Sequence, residues 1–578
     1  MTQRWLPITL LMAGAVSLAA ATSGGGDADL SPTFSIADLP DIGEPADQSM
    51  SPADERRLGG EVVAQLYRYQ IIDEDPVLKD YLIKVSQRLL AFSNAPDTAI
   101  RVFTIADRRI NAFALPGGYI GINRGLLMAA ESESEMAGVM AHEIAHVTQR
   151  HIARTQEATS AASLATWAAA VLAVILGGGS SDVVMGALAA GGAINAQRQI
   201  NYTRSHELEA DRLGIQTLSA AGYNPYGVVD FFSTLEQQSR LYGTGIPEIL
   251  RTHPLNTRRI AEARSRAANM PPVENESNAE FELMRARARV LSQSRPSESL
   301  EYFGQLVRTG NARPASHYGL ALALVRAGQP VQALEALQPL IDENPRNLNV
   351  LLALADAQRA ARQTREAAAT YRRAATLYPR SGAATLEYAS WLIDQGEPIE
   401  ARRLLLRHDQ ALEQHVQGLR LLADAATMAG DQPEAAYQMA NYHYARGDAG
   451  TALSHLDAGL RIENLNDREE ARLTARRNEV RASLPRNWTP DYERHASHRF
   501  QQQRRAAPQP ARCHAARTPH PLKTRCCTSG LNPPRDNGDH ILITTTFRGT
   551  NAFGGKVLNT WTAKASIDGT VTEIISTQ

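Results

Sequence analysis

The spacing of hydrophobic and polar residues changes twice within the first part of the chain. Apolar residues recur at helical intervals in DERRLGGEVVAQLYR and in VLKDYLIKVSQRLLAF, and Asp75 and Pro76 supply a cap and a first-turn proline for the second segment. The runs IRVFTIA, NAFAL and YIGIN then have the composition of short strands, with a Pro-Gly-Gly turn between the last two. A capping box at Ser132 and Glu135 begins a further helix through MAGVMAHEIAHVTQRHIAR. These patterns predict an α+β domain, mostly helical with a small sheet, over residues 51–275.

Two stretches without charge follow the last of these helices. Residues 158–181 carry no charged side chain over 24 positions, and residues 183–197 carry none over 15. The first stretch is long enough to cross a bilayer, but the second gives a helix of only about 22 Å against a hydrocarbon core of roughly 30 Å. We therefore expect residues 158–197 to form an apolar helical hairpin that packs on the domain or touches a membrane surface, rather than a true membrane span.

Residues 280–485 are helical in pattern throughout and repeat with a period of 34. One grid of this period holds Gly328, Arg362, Gly396 and Gly430; a second holds Ala333, Ala367, Ala401 and Ala435; and Pro345 and Pro379 are also 34 apart. Small residues at fixed points let two helices approach closely, and stacked helix pairs bury a core that no single pair could bury. The pattern resembles tetratricopeptide repeats over roughly four units and predicts an all-α solenoid whose concave surface binds a protein partner.

The two ends of the chain differ from the parts between them. Residues 1–21 have one early arginine, an apolar run and a small-residue cleavage site, which is typical of a signal peptide, and residues 22–50 have the composition of a flexible leader. We therefore expect export. Residues 486–578 are predicted to be a basic linker followed by a β-like tail of unknown role, because six Lys or Arg and no acidic residue occur in 501–527.

Composition excludes several functions. Lys and Arg total 60 against 61 for Asp and Glu, so no overall positive charge favours a nucleic-acid partner. All three cysteines of the 578 residues lie at or after Cys513. A disulfide framework, a cysteine-ligated zinc finger and a cysteine nucleophile are therefore excluded for the first 500 residues.

The segment HEIAH carries the clearest chemical signal. His142 and His146 are four residues apart, so on a helix they lie one turn apart and can present ring nitrogens to one ion. Glu143 follows the first histidine and can accept a proton from a water molecule that a bound Zn²⁺ ion has made more acidic. A catalytic zinc ion usually takes three protein ligands, and the segment YTRSHELEAD at 202–211 offers several candidates for the third.

HEIAH, followed some sixty residues later by E-x-E-A-D, resembles the zinc metallopeptidase family that includes the CAAX prenyl endopeptidases and the periplasmic beta-barrel assembly-enhancing proteases. The resemblance implies a zincin-like metallopeptidase domain with one Zn²⁺ per chain, with Glu207 as third ligand and Asp211 as the carboxylate that orients a ligand histidine. Glu209 faces away from Glu207 on a helix, and His206 points about 100° away, so both are weaker ligand candidates.

The same resemblance extends to a downstream His-Pro element, THPLNTRRI. It implies that His253 and Arg259 lie over the open coordination position and stabilise the oxyanion of the reaction. Alternatively, His253 caps the zinc ion and holds a latent state. His151 lies well around a continuous helix from His142 and His146, so no role is predicted for it.

The predicted reaction is hydrolysis of peptide bonds in unfolded or misassembled proteins, by resemblance those of the outer membrane, in the periplasm. We expect an extended substrate to pair with the sheet edge at Asn111, Ala112, Phe113 and Ala114, because main-chain pairing holds a peptide without demanding one sequence. The repeats would recruit substrate or a partner such as the outer-membrane assembly machinery. Two alternatives remain, a chaperone or assembly scaffold that acts mainly through the repeats, and a membrane-associated peptidase that uses residues 158–197.

Overall fold

A computed structural model describes most of the chain between residues 50 and 484 and three strands near its end. The chain divides into two compact units, residues 1–490 and 491–578. The described residues are 50–158, 193–241, 247–273, 278–309, 313–484, 540–550, 556–566 and 571–577.

The first unit begins with two helices and a four-stranded sheet. These elements are α1 (Pro52–Arg68), β1 (Ile72–Asp73), α2 (Pro76–Ala91), β2 (Arg101–Ile105), β3 (Ala112–Leu115) and β4 (Tyr119–Asn123). The strand order is β1-β2-β4-β3, with β2 and β4 parallel and the other two pairs antiparallel. Strand β3 therefore forms one edge of the sheet. Helix α2 begins where expected, because the Asp75 carboxylate accepts the Leu78 backbone N–H at 2.9 Å.

Helices complete this part of the molecule and place the candidate site. They are α3 (Arg124–Ala129), α4 (Glu133–Thr148), α5 (His151–Ala158), α6 (Ala193–Ala220), α7 (Gly227–Leu241), α8 (Glu248–Thr252) and α9 (Thr257–Ala268). Helix α4 is buried from Ser134 to Ala145 and packs against α6, α7 and the edge strand β3. The Ser132 hydroxyl caps α4 by accepting the Glu135 N–H, as predicted, whereas the Glu135 carboxylate accepts the N–H of Glu131.

The chain does not continue as one helix through residue 154, and that expectation was wrong. Helix α4 ends at Thr148, and Arg150 adopts a left-handed conformation with φ of +51° before α5 begins at His151. Two contacts hold this break: Arg150 Nε lies 3.1 Å from the Glu55 carboxylate, and Arg150 Nη2 donates to the Met50 carbonyl at 2.7 Å. These bonds offset the cost of a left-handed non-glycine residue.

Most of the predicted apolar hairpin at 158–197 lies outside the described residues. Within the described ranges, no helix is both long and apolar enough to cross a membrane.

Twelve further α-helices of the described chain follow α9, and each packs against the next. They are α10 (Ala279–Ser292), α11 (Pro296–Arg308), α12 (Pro314–Arg326), α13 (Pro330–Glu343), α14 (Leu348–Ala360), α15 (Thr364–Leu377), α16 (Gly382–Asp394), α17 (Pro398–Arg407), α18 (Gln417–Met428), α19 (Gln432–Ala445), α20 (Ala449–Gly459) and α21 (Asp467–Ser483). The predicted fold class, an α+β domain with a small sheet followed by an all-α repeat solenoid, is confirmed. The exact domain boundaries remain predictions.

The two 34-residue grids have different physical causes. All four residues of the glycine grid adopt positive φ, between +59° at Arg362 and +79° at Gly396, and each lies just beyond the end of a helix. A β-carbon at Gly328, Gly396 or Gly430 would meet nothing within 4 Å among the described atoms, so these glycines serve backbone conformation and not close packing. Close packing does explain the alanine grid at Ala333, Ala367 and Ala401, which are fully buried, whereas Ala435 is half-buried.

Buried polar contacts join the repeats to the α+β part of the same unit. The Arg287 guanidinium binds the Asp75 carboxylate through Nε and Nη2, both at 2.8 Å, and donates through Nη1 to the Tyr318 hydroxyl. Asp80 on α2 accepts from the Ser381 hydroxyl at 2.6 Å and contacts His415 Nε2 at 2.7 Å. Because Asp75 also caps α2, one carboxylate stabilises both the start of this helix and the junction between the α+β part and the repeats.

The second unit contains a three-stranded antiparallel sheet. Its strands are β5 (His540–Thr550), β6 (Lys556–Ser566) and β7 (Val571–Thr577), in the order β5-β6-β7.

Candidate active site

Helix α4 presents its two histidines to one point. His142 and His146 lie one turn apart, and their Nε2 atoms are 3.0 Å from each other. The other nitrogen of each ring faces away, His142 Nδ1 toward Asp211 at 3.0 Å and His146 Nδ1 toward His151 at 2.9 Å. The two rings are thus fixed from behind, with their Nε2 atoms directed into the site.

Helix α6 brings an acidic side chain to the same point. The carboxylate oxygens of Glu207 lie 3.5 Å from His142 Nε2 and 3.5 Å from His146 Nε2. A β-carbon at Gly214 would lie only 3.1 Å from the His142 backbone nitrogen, so glycine at this position allows α6 to approach α4 closely. Asp211 follows Glu207 by one helical turn and therefore also faces α4.

His253, at the C-terminal end of the short helix α8, completes the cluster. Its Nδ1 lies 3.1 Å from Glu207 Oε1 and 3.3 Å from His142 Nε2, and its Nε2 lies 3.4 Å from Glu143 Oε1. One ligand atom from each of His142, His146, Glu207 and His253 lies within 4.8 Å of all the others. His253 therefore stands between the candidate metal ligands and Glu143.

Arg259 lies beneath the cluster and is almost fully buried. Its Nε and Nη2 atoms donate to both Asp211 oxygens, at 2.7 and 2.8 Å, and its Nη1 lies 2.9 Å from both Glu207 Oε2 and the Pro254 carbonyl oxygen. The guanidinium therefore fixes the two carboxylates relative to each other.

Burial and charge together determine the protonation of the cluster. Burial alone would lower the pKa of His142, but its bonds to Asp211 and Glu207 outweigh burial and raise that pKa to about 10. Burial would likewise lower the pKa of His253, but the charges of Glu207 and Glu143 raise it. Burial lowers the pKa of His146 and would raise that of Glu207, yet the neighbouring histidines hold the Glu207 pKa well below its usual range.

The donor set fits a tetrahedral divalent metal ion. Ligand atoms at about 2.0–2.2 Å from a tetrahedral ion are roughly 3.4 Å apart, and the nitrogen–nitrogen and nitrogen–oxygen separations given above run from 3.0 to 3.5 Å. Both carboxylate oxygens of Glu143 are buried without a hydrogen-bond partner in the described part of the chain. A buried carboxylate in this state is expected where a reactant is to be bound.

Metal binding is expected to release a proton and to weaken as the pH falls. With a pKa of about 10, His142 is protonated at neutral pH in the metal-free protein and must lose that proton to coordinate through Nε2. The apparent metal affinity should therefore rise about tenfold per pH unit between about pH 6 and 8 for each proton released. Isothermal titration calorimetry in buffers of different ionisation enthalpy measures the released proton. An affinity independent of pH over this range would contradict the prediction.

The structure brings most of the predicted site residues together. His142, His146 and Glu207 form the candidate metal site, and His253 lies within ligand distance of them. Glu143 contacts His253, and Arg259 binds Asp211. The predicted substrate segment follows edge strand β3, which packs against α4. Asn111 directly precedes the strand, and Ala112, Phe113 and Ala114 belong to it. The functional roles of these residues remain predictions.

Sequence reasoning missed His151 and ranked Glu209 only as a weaker ligand. His151 Nε2 lies 3.2 Å from Glu209 Oε2, and burial lowers the His151 pKa to about 4. His206 lies outside the cluster, with its ring stacked on His151 at 4.2 Å. Only the helix break at Arg150 brings His151 behind His146, and no glycine or proline marks that break in the sequence.

Fold and site together define a metallopeptidase of the His-Glu-x-x-His type. Residues 76–267 match Peptidase family M48. The Escherichia coli beta-barrel assembly-enhancing protease is 32% identical over 445 residues, which cover 77% of this chain and 91% of that protein. A Vibrio cholerae relative is 35% identical over 402 residues, which cover 69% of this chain and 82% of that protein.

The chain therefore belongs to peptidase family M48, in the group of the beta-barrel assembly-enhancing proteases. The predictions of this family and of a metalloendopeptidase are confirmed. Among solved structures, a thermophilic TPR protein from Thermus thermophilus is 21% identical and covers 35% of this chain and 93% of that chain. Its TM-score against this chain is 0.20.

Proposed function

We propose that this protein is a periplasmic zinc endopeptidase that hydrolyses peptide bonds of unfolded or misassembled envelope proteins. The observation that carries the proposal is the convergence of His142, His146 and Glu207 on one point, with the buried Glu143 carboxylate beside it, whose oxygens accept no hydrogen bond among the described residues. These three residues would hold one Zn²⁺ per chain. The substrate class follows from the similarity to beta-barrel assembly-enhancing proteases.

Zinc, when bound, supplies Lewis-acid chemistry, since it makes water more acidic and polarises a carbonyl group. Glu143 accepts the proton of the attacking water and delivers it to the leaving amine as the peptide C–N bond breaks. The burial of Glu143, which is 1% exposed, keeps bulk water from competing for that proton. Asp211 accepts from His142 Nδ1 and keeps the His142 Nε2 lone pair directed into the site. Arg259 positions Glu207 and Asp211. Contact of Arg259 with an oxyanion remains a prediction.

The purified chain tests the proposal directly. We expect about one zinc ion per chain by elemental analysis and cleavage of an unfolded outer-membrane protein that stops on addition of a chelator and returns with zinc. Fractionation of cells should recover the chain with the periplasmic proteins. A metal-free protein that zinc never activates would overturn the enzymatic part of the proposal.

His253 is proposed to hold the resting enzyme in a latent state. Its Nδ1 lies as close to Glu207 and His142 as a fourth metal ligand would, and its Nε2 faces Glu143. In this position the imidazole takes the place that a substrate carbonyl and water need. Activation therefore requires movement of the segment between α8 and α9.

Replacing His253 with alanine distinguishes latency from catalysis. If His253 only caps the metal, the His253→Ala variant should cleave an unfolded substrate about 10-fold faster than the wild type, because the competent state, with its open coordination position, would no longer be a minor one. If the ring stabilises an oxyanion, the rate should instead fall by about 10²–10³-fold. The initial cleavage rate with zinc in excess decides between the two. Thr252→Ser, one residue earlier, is the matched control.

An extended substrate is proposed to pair with edge strand β3. Asn123 N donates to Asn111 O at 3.1 Å, and hydrogen-bonded pairs alternate along an antiparallel ladder. The backbone groups of Ala112 and Ala114 are therefore directed away from β4, where Ala112 is fully buried and Ala114 is half-buried. Main-chain pairing at this edge would align a peptide beside α4 and the metal site.

A proline at the edge should weaken substrate binding. Ala114→Pro removes the N–H that a docked strand would accept from, so we expect the KM for a peptide substrate to rise about 5–10-fold, in line with one or two lost hydrogen bonds. Ala114→Val keeps the N–H and serves as the control. Equal KM values for the two variants would argue against docking at β3.

The repeats are proposed to recruit substrate or a protein partner, for which the outer-membrane assembly machinery is the candidate by the name of the relatives. Stacked helix pairs form extended surfaces for protein segments. Pull-down from envelope extracts with the full chain, and with a chain changed only on exposed repeat residues, would test this recruitment.

A further inference from the structure

Three residues, His151, Glu209 and Arg154, form a hydrogen-bonded chain that begins at His146 Nδ1, on the side of the ring opposite the metal site. His151 Nδ1 is 2.9 Å from His146 Nδ1, and His151 Nε2 is 3.2 Å from Glu209 Oε2. The same Glu209 oxygen lies 3.1 Å from Arg154 Nη1. His151 is 2% exposed, whereas the Glu209 side chain is 24% exposed.

Only one arrangement of protons allows every hydrogen bond in this chain, from His146 through His151 to Glu209, to form. His146 directs Nε2 into the cluster, so its proton must sit on Nδ1, where it is donated to His151. His151 then accepts at Nδ1 and must carry its own proton on Nε2, which it donates to Glu209. Arg154 keeps the Glu209 carboxylate ionised and in place. Each group thus fixes the tautomer of the next.

We propose that His151 and Glu209 are positioning residues that set the orientation and metal-binding strength of His146. This inference rests on the proposed zinc function. A ligand histidine binds a metal more strongly when its second nitrogen donates to a hydrogen-bond acceptor backed by negative charge. Asp211 supplies that acceptor to His142 directly, and Glu209 supplies it to His146 through His151. The three acidic residues of the ELEAD segment therefore have three different tasks around one ion.

The backbone around His151 is built to hold this ring. The left-handed Arg150 ends α4 and places His151 at the start of α5, and the Thr155 hydroxyl donates to the His151 carbonyl at 2.7 Å. The His206 ring stacks on the His151 ring, with 4.2 Å between the ring centroids and 9° between the ring planes. An imidazole fixed in this way loses little entropy when it accepts from His146.

Zinc affinity of the full chain, measured by competition with a chelator, tests the proposal without using activity. His151→Ala should bind zinc about 10–100-fold more weakly than the wild type. His151→Asn keeps an acceptor near His146 Nδ1 and should recover part of that loss. Glu209→Gln keeps the bond but removes the charge, so a loss of about three- to tenfold is expected. His206→Phe preserves the stacked ring next to His151 and should leave zinc affinity unchanged.

The outcomes separate this inference from the proposed function. If the wild type binds zinc and both His151→Ala and Glu209→Gln bind it within about twofold as tightly, the positioning role is overturned while the zinc site stands. If His206→Phe weakens binding as much as His151→Ala, a change next to His151 that leaves the bonds from His146 to Glu209 intact is enough to weaken the site, which also overturns the inference. If His151→Ala does not fold, Glu209→Gln, changed at a partly exposed position, decides alone. A wild type that binds no zinc contradicts the proposed function itself.

Discussion

Glu143→Gln is expected to slow peptide hydrolysis by about 10²–10⁴-fold while zinc binding is retained, because glutamine has nearly the same shape but cannot accept the proton of water. In the structure, Glu143 is not among the groups that converge as metal ligands, so its loss should leave zinc content unchanged. The measurement is the cleavage rate of an unfolded substrate at saturating zinc, together with zinc content per chain.

Glu135→Gln is the matched control for this variant. Glu135 lies two turns earlier on the same helix, is also buried, and has its pKa raised to about 7 by burial, so a neutral amide fits its position. The control should cleave at the wild-type rate. Cleavage by Glu143→Gln at the wild-type rate would contradict the assigned base. If its cleavage is lost but the function in cells persists, the role as an assembly scaffold through the repeats is favoured.

Glu207→Gln is expected to weaken zinc binding by on the order of 10²–10³-fold and to abolish cleavage at limiting zinc. A structural zinc site is worth roughly 10–16 kcal/mol, so one of three or four ligands accounts for about 3–4 kcal/mol. The glutamine also leaves the buried charges of Arg259 and His253 without part of their compensation. Chelator competition gives the affinity, and circular dichroism confirms that the variant is folded.

Glu262→Gln is the control, since its carboxylate pairs only with Arg266 one turn further along helix α9 among the contacts described. Its zinc affinity should equal that of the wild type. A larger loss of affinity in Glu209→Gln than in Glu207→Gln would show that Glu209, and not Glu207, binds the ion.

The elements with regular periodicity were predictable, and so were the ligands that depend on local spacing. His142 and His146 need only an i, i+4 separation on a helix, which HEIAH supplies. Glu207 came from the family resemblance, because no local pattern determines which carboxylate of a distant helix reaches the ion. The closeness of His253 to both Glu207 and Glu143 depends on how α8 packs, which periodicity does not describe.

The failures have local physical causes. The left-handed conformation of Arg150 is held by Glu55 and Met50, nearly one hundred residues earlier in the chain, so the helix break that positions His151 leaves no local signal. The glycine grid was correctly seen as a repeat but was explained by close packing. Arg362 already pointed to the right cause, since a bulky residue at that grid point fits a turn beyond a helix end but not a tight helix contact.

The shared carboxylate at Asp75 bears on how this protein can be divided. A fragment that stops near residue 275 would lack Arg287, and with it the cation that binds the cap of helix α2, as well as the His415 contact of Asp80. In such a fragment Asp75 would lack its cation and Asp80 its imidazole partner, at the start of and along helix α2, which packs against the sheet. Catalytic measurements on an isolated N-terminal half would therefore describe a weakened molecule, and rates intended to represent the enzyme should come from the uncut polypeptide.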